Sequence, residues 1–340
     1  MRLLIVTQAV DVNDPVLGFM HRWIEELAKH SEQIHVICLK EGEYKLSKNV
    51  SIHSLGKESG ESRIKYLARF YRYIWGLRGE YNTVLVHMNE EYVILSGLWW
   101  RLQGKRIVLW RNHKMGSVFT RIAGRLAHVV CYTSPGAYVA GYPNAVRMPI
   151  GIDTVLFAPR DEPIRGSILF LGRLDAVKNP ETFLQALARL AHMQVRFSAD
   201  IYGDPSEGRE EYARHLKETY GKNPGIRFFP SVRNEETPPV YAAHEVYVNL
   251  TPSGSFDKTI GEAMASGCVV IVANDAVEEA LGPGLLVSPD DRVQVADAIQ
   301  KAFSLTPEER RTVVKRQREY IVREHSLTLL VERLTRILAE

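Results

Sequence analysis

Acidic residues are missing from one long stretch: between Tyr92 and Ile152 there is neither Asp nor Glu, while Arg and Lys recur from Arg101 to Arg147. Such depletion predicts a surface that meets anions, a phosphate-bearing ligand or an anionic bilayer, and matters more than the formal net charge of +3. No nucleic-acid recognition motif accompanies it, so nucleic acid is not the expected partner. Cysteine is scarce too. Cys38, Cys131 and Cys268 each lie in a strand-like apolar run, far apart in sequence. They read as buried thiols of a reducing cytoplasm, not as a disulfide or metal set. No apolar run approaches the eighteen or so residues of a membrane-spanning helix, and Met1-Arg2-Leu3-Leu4-Ile5-Val6-Thr7 is a first strand too short for a signal peptide. No Gly-x-Gly-x-x-Gly follows that strand, which disfavours a nicotinamide site; no Asp-x-Asp pair or His/Cys cluster offers a metal site.

What is present is alternation. The 340 residues exceed one ordinary α/β core and suit two domains of roughly 150 each. Apolar runs predict strands near 3–7, 33–39, 50–55, 83–87, 106–110, 128–132 and 145–148, with helices near 18–30, 62–78, 91–103, 117–126 and 134–140. The order restarts with strands near 168–171, 198–202, 226–229, 245–250, 269–272 and 284–287. Helices near 180–191, 208–220, 235–243, 258–266 and 291–303 separate them, and 307–340 reads as helical throughout. The expected domains are 1–155 and 156–325, with 326–340 a terminal helix.

Two strand-to-helix junctions in the second half carry most of the chemistry. In the first, Ile168-Leu169-Phe170-Leu171 leads through Gly172 to Arg173 and Lys178, with Asn179 as cap, Pro180 at the first helical position and Glu181 in the first turn. Two cations beside a helix N-terminus suit a diphosphate; the plainer alternative is a solvated basic loop. In the second, the strand ending at Leu250 is broken by Pro252, Ser253 and Gly254, and a short helix runs to Gly267. Glu262 sits in that helix and is expected to lean back toward the loop, where a carboxylate can accept from ribose hydroxyls; alternatively it only favours the helix dipole.

Three further features complete the pattern: Gly18 before the first helix, Trp110-Arg111-Asn112-His113-Lys114 after an N-terminal strand, and Gly151-Ile152-Asp153 with Phe157 and Pro159. In this order, and over nearly the whole chain, these residues resemble the family 4 retaining glycosyltransferases (group 1 glycosyltransferases) of the GT-B fold. The resemblance implies two doubly wound, Rossmann-like α/β domains facing each other across a cleft, acceptor side first and donor side second, with the tail helix packing back on the N-terminal domain. It implies a glycosyltransferase that moves a sugar from a UDP- or GDP-sugar to a hydroxyl acceptor, with retention and with neither metal nor cofactor. The acceptor would be a glycan or a lipid-linked precursor of the cell envelope. His113 matches the histidine that reaches the donor sugar; with Arg173, Lys178 and Glu262 it makes the expected catalytic set. Gly18, Gly172, Gly203, Val232, Ser255, Phe256, Asp257 and Lys258 are the further expected donor contacts, and Asp204 and Tyr241 are softer cleft candidates. His21, His87, Asn89 and Glu90 are the acceptor-side candidates.

One position departs from the family. Its two glutamates are separated by seven residues, and counting back from Glu262 lands on Gly254. A non-catalytic relative that binds nucleotide or a partner, and a GT-B sugar-nucleotide epimerase, therefore stay open beside the transferase. A last expectation concerns residues 63–75, where Ile64, Leu67, Ala68, Tyr71 and Trp75 share one helical face and Lys65, Arg69 and Arg72 the other. The apolar face either packs on the sheet, as crossover helices do, or lies on an anionic membrane, which would place the protein at the inner face of that membrane.

Overall fold

A computed structural model describes residues 1–14, 16–160 and 162–340. The chain divides into two compact units, Met1–Gly151 with Leu327–Glu340, and Ile152–Ser326.

The first unit is built on seven parallel strands: β1 (Arg2–Val10), β2 (Gln33–Glu41), β3 (Val50–Ser54), β4 (Thr83–His87), β5 (Arg106–Trp110), β6 (Val129–Tyr132) and β7 (Ala145–Arg147). Their order is β3-β2-β1-β4-β5-β6-β7. Parallel sheets are covered on both faces, which is why Leu3, Leu4, Ile5 and Val6 are all buried despite alternating sides. One face carries α1 (Phe19–Ala28) and α11 (Leu327–Ala339), through Trp23, Ile24 and Leu27 against Leu330, Val331 and Leu334. Thr83 and Arg106 bond the last carbonyls of α11, at Leu338 (3.0 Å) and Ile337 (2.6 Å). The other face carries α2 (Arg63–Gly76), α3 (Glu91–Leu102) and α4 (Val118–Leu126), with Phe70, Ile74, Val93, Trp100 and Ala123 in the core. Ser117 caps α4 by exchanging bonds with Thr120.

The second unit has a five-stranded parallel sheet in the order β10-β9-β8-β11-β12. Its strands are β8 (Ile164–Leu171), β9 (Ser198–Tyr202), β10 (Ile226–Phe229), β11 (His244–Asn249) and β12 (Val269–Val272). The helices are α5 (Pro180–His192), α6 (Glu210–Tyr220), α7 (Thr237–Ala243), α8 (Lys258–Ser266), α9 (Arg292–Ser304) and α10 (Pro307–His325). In each unit the strand order reverses beside the first strand, between β1 and β4 and between β8 and β11. Open α/β sheets bind ligands at the carboxyl ends of their strands at such a point.

Four expectations change. Residues 284–287 form a single bridge, Leu286 to Val272, because Gly282-Pro283-Gly284 leaves too little chain for a strand. The stretch 134–140 holds only a 3-10 turn at Tyr138–Gly141, since Pro135 and Gly136 interrupt it. The C-terminal helix breaks at Ser326, whose backbone is extended, so α10 belongs to the second unit and α11 to the first. In α2 the face expected to pack on the sheet is the exposed one: Phe70 and Ile74 are buried, whereas Ile64, Leu67, Ala68, Tyr71 and Trp75 face solvent. The helix has two apolar stripes, and the one made of Tyr66, Phe70, Tyr73 and Ile74 takes the sheet side.

Candidate active site

In the second unit the donor-side candidates gather at the carboxyl ends of β8, β9, β10 and β11. After β8 the chain turns through Gly172 and Arg173 to a 3-10 turn at Ala176–Lys178. Asn179 holds the cap position of α5 in a left-handed conformation (φ 48°), but its side chain donates to the Leu250 carbonyl (3.0 Å) and accepts no bond from the helix. This ties the first junction to the second. The Lys178 ammonium forms an ion pair with the Asp257 carboxylate, which also accepts from Asn249 Nδ2 (3.2 Å) and Thr251 Oγ1 (3.3 Å). Burial alone would raise the Asp257 pKa; Lys178, Asn249 and Thr259 together hold it below the ordinary value. Arg173 is held separately, donating to Ser206 Oγ (3.0 Å) with Asp175 3.5 Å away. Asp175 accepts from the Ser206 backbone (3.0 Å) and hydroxyl (2.6 Å). Burial opposes its ionisation, but these bonds and Arg173 keep its pKa low.

Backbone approach is tight here. A Cβ on Gly203 would stand 1.9 Å from the Gly172 carbonyl oxygen, so only glycine lets β8 and β9 end side by side. Next to it, Asp204 accepts from the Ser231 backbone (3.0 Å) and hydroxyl (2.6 Å), joining the loops after β9 and β10. Val232 follows, half-buried. Gly254 has φ 131°, a conformation that a glutamate rarely adopts, so the loop path at this position suits the glycine it has. The Ser255 carbonyl accepts from Asn274 Nδ2 (2.7 Å), and Phe256 is buried against the His325 ring (4.9 Å between centroids).

Glu262 is enclosed, not open at the loop. It is 4% exposed, and its two carboxylate oxygens accept from Asn234 Nδ2 (2.8 Å) and the Tyr241 hydroxyl (3.1 Å). Burial raises its pKa, opposed by Asn234, Lys258 and Tyr241. Tyr241 lies wholly inside the core, so it supports Glu262 from within and does not line a cleft. Lys258, the first residue of α8, is half-buried; burial pushes its ammonium down to about 7, and the Glu262 charge acts in the opposite direction. Sequence reasoning missed Asn249, Asn234 and the Asp175–Ser206 pair. Asn249 carried a signal, a polar residue ending an apolar strand; Asn234, 28 residues before Glu262, carried none.

In the first unit the candidates lie where β4 and β5 end. His87 is buried among the rings of Phe19 (6.1 Å), Trp23 (5.9 Å) and Trp110 (6.4 Å). Met88 then takes a left-handed backbone (φ 69°), a strained choice for a side chain of its kind. Asn89 Oδ1 accepts from Gln8 Nε2 (2.7 Å), linking β4 to the end of β1. Glu90 is enclosed: it pairs with Arg111 (2.5 Å) and accepts from Thr120 Oγ1 (2.8 Å), so it braces β5 and α4 against the β4 loop. His113 is exposed, and its Nδ1 lies within hydrogen-bond distance of both the Met115 backbone N–H (3.0 Å) and the Met115 carbonyl (3.2 Å), which ties the ring to its own loop. Gly18 stands at the cap of α1, and His21 Nε2 accepts from the Lys45 backbone N–H (3.0 Å), which turns this ring toward the segment after β2.

Comparison with known proteins agrees on both units. Residues 12–131 match the family model described as glycosyl transferase 4-like, and residues 165–304 match glycosyl transferases group 1. A D-inositol 3-phosphate glycosyltransferase of Acidothermus cellulolyticus is 30% identical over 180 residues, 46% of this chain and 40% of that protein. The MMP α-(1→4)-mannosyltransferase of Mycolicibacterium hassiacum is 24% identical over 216 residues, 60% of this chain and 51% of that one. The matches thus span about half the length of these curated relatives. Among solved structures, Anabaena HepE in complex with UDP and glucose superposes with a TM-score of 0.79 at 16% identity, covering 100% of both chains. Each unit thus matches a glycosyltransferase family model over most of its length, and the fold of the chain is the GT-B fold of these structures.

Proposed function

We propose that this protein is a retaining glycosyltransferase that moves a sugar from a nucleotide-sugar donor, UDP-sugar first and GDP-sugar second, to a hydroxyl of a cell-envelope glycan or lipid-linked precursor. The observation that carries this reading is the convergence of Arg173, Lys178 and Lys258 with the N-terminus of α8 at one end of a single sheet. Three cations and a row of helix N–H groups complement a diphosphate and neutralise the leaving group as the sugar–phosphate bond breaks. Lys258 gains most from such a ligand, because an arriving diphosphate restores the charge that burial disfavours. That HepE is seen with UDP and glucose supports the uridine choice. On this reading Glu262, fixed by Asn234 and Tyr241, keeps its remaining lone pairs for the ribose, and His113 is the residue that reaches the donor sugar. No metal is assigned a step, since the cations supply the charge.

The test needs no acceptor. The protein incubated with UDP-glucose is expected to release glucose slowly to water, and proton NMR of the first product should show the α-anomer, as in the donor. Initial release of the β-anomer would overturn retention. A second reading, a nucleotide-binding relative without turnover, is favoured by Gly254 in place of the first glutamate; nucleotide binding without any release would select it.

A further inference from the structure

The outer sides of α2, α3 and α4 form a surface that the transfer reaction does not use. These helices cover one face of the first sheet, and each keeps a second apolar stripe pointing away from it. On α2 the stripe is Ile64, Leu67, Tyr71 and Trp75; on α3 it is Leu95, Leu98 and Leu102; on α4 it is Val118, Phe119 and Ile122. Ile64 is 80% exposed, Leu102 79%, Phe119 62% and Trp75 60%. The stripes join: Trp75 stacks on Trp99 at 6.0 Å, and the Tyr71 hydroxyl donates to the Leu95 carbonyl (3.1 Å). Singly exposed leucines need no explanation, but three adjacent stripes on one layer do.

Charge selects the occupant. Glu91 is the only acid on the three helices, against Arg and Lys at seven positions. Nearby Glu61 is neutralised by Lys65 (2.7 Å) and Arg69 (3.0 Å). Arg78, just after α2, lies over the Trp75 ring at 5.1 Å. We propose that this face docks on an anionic lipid bilayer, with the apolar stripes entering the headgroup boundary and the basic side chains meeting lipid phosphates. Trp75 and Tyr71 suit that depth, where an amphipathic ring keeps one end wet. A second copy of the chain fits less well, because two such faces would bring like charge against like. Nucleic acid has no use for the apolar stripes. The helices start at the carboxyl ends of the strands, so docking would bring lipid to the end of this unit where Asn89 and His113 lie.

Flotation of the full chain with vesicles tests the proposal independently of any sugar transfer. Binding to phosphatidylcholine vesicles containing phosphatidylglycerol is expected, with little binding to phosphatidylcholine alone. Ile64→Ser/Leu98→Ser/Phe119→Ser, and separately Arg72→Glu/Arg125→Glu, should each weaken it by roughly tenfold or more. All five side chains are exposed, so unchanged circular dichroism melting and unchanged nucleotide binding are expected in both variants. No binding by the parent protein, equal binding to neutral vesicles, or a dimer in solution that the apolar variant dissociates would each overturn the proposal.

Discussion

Replacing Lys178 with alanine is expected to weaken diphosphate binding about 30-fold or more, the scale of about 2 kcal/mol seen when one partner of a buried charge pair is truncated at a binding site. The geometry gives two reasons. The variant loses a cation at the end of β8, and it leaves the Asp257 carboxylate, itself largely buried, facing the incoming phosphates without its counter-charge. Breaking a pair of this kind also costs about 3 kcal/mol of stability, read as a melting temperature lower by several degrees. Lys178→Ala/Asp257→Asn separates the two effects. Removing the uncompensated carboxylate should restore melting toward the parent value and recover part of the affinity, the remainder being the contribution of the cation. An unchanged affinity in Lys178→Ala, measured by titration calorimetry, would remove the diphosphate from this site.

Glu262→Ala is the second large effect. It deletes an enclosed carboxylate and leaves Asn234 Nδ2 and the Tyr241 hydroxyl without their acceptor, each at a cost of about 1–3 kcal/mol. Nucleotide affinity should fall at least tenfold through loss of the ribose contact. Tyr241→Phe is the control: it removes one of the two internal bonds, lowers stability by about 1 kcal/mol, and keeps the carboxylate. Its affinity should stay within a few-fold of the parent. If Tyr241→Phe and Glu262→Ala weaken nucleotide binding equally, Glu262 acts only as a structural brace and the ribose contact is wrong.

Several of the parallel strands were legible as continuous apolar runs, as at Leu3–Val6, Val269–Val272 and Ile168–Leu171, the last closed by Gly172, whereas β3, β9 and β10 include polar residues. The junctions after β8 and β11 were legible for the same reason, since residue order alone puts Arg173, Lys178 and Lys258 at strand ends. What pairs with what was not. Lys178 and Asp257 are 79 residues apart, and only the sheet order, which sets β11 beside β8, brings them together. Glu90 looked like an open loop carboxylate; its partners Arg111 and Thr120 come from two later elements. In α2 the pattern contained two apolar stripes, and periodicity alone does not say which faces the sheet.

Titration calorimetry of the purified protein against UDP, GDP and ADP, first without metal and then with magnesium, reads the donor site without any acceptor. Saturable binding of UDP in the absence of metal is expected, stronger than GDP or ADP and little changed by magnesium. Binding of none of the three, or binding only when magnesium is added, would contradict a donor site built from Arg173, Lys178 and Lys258.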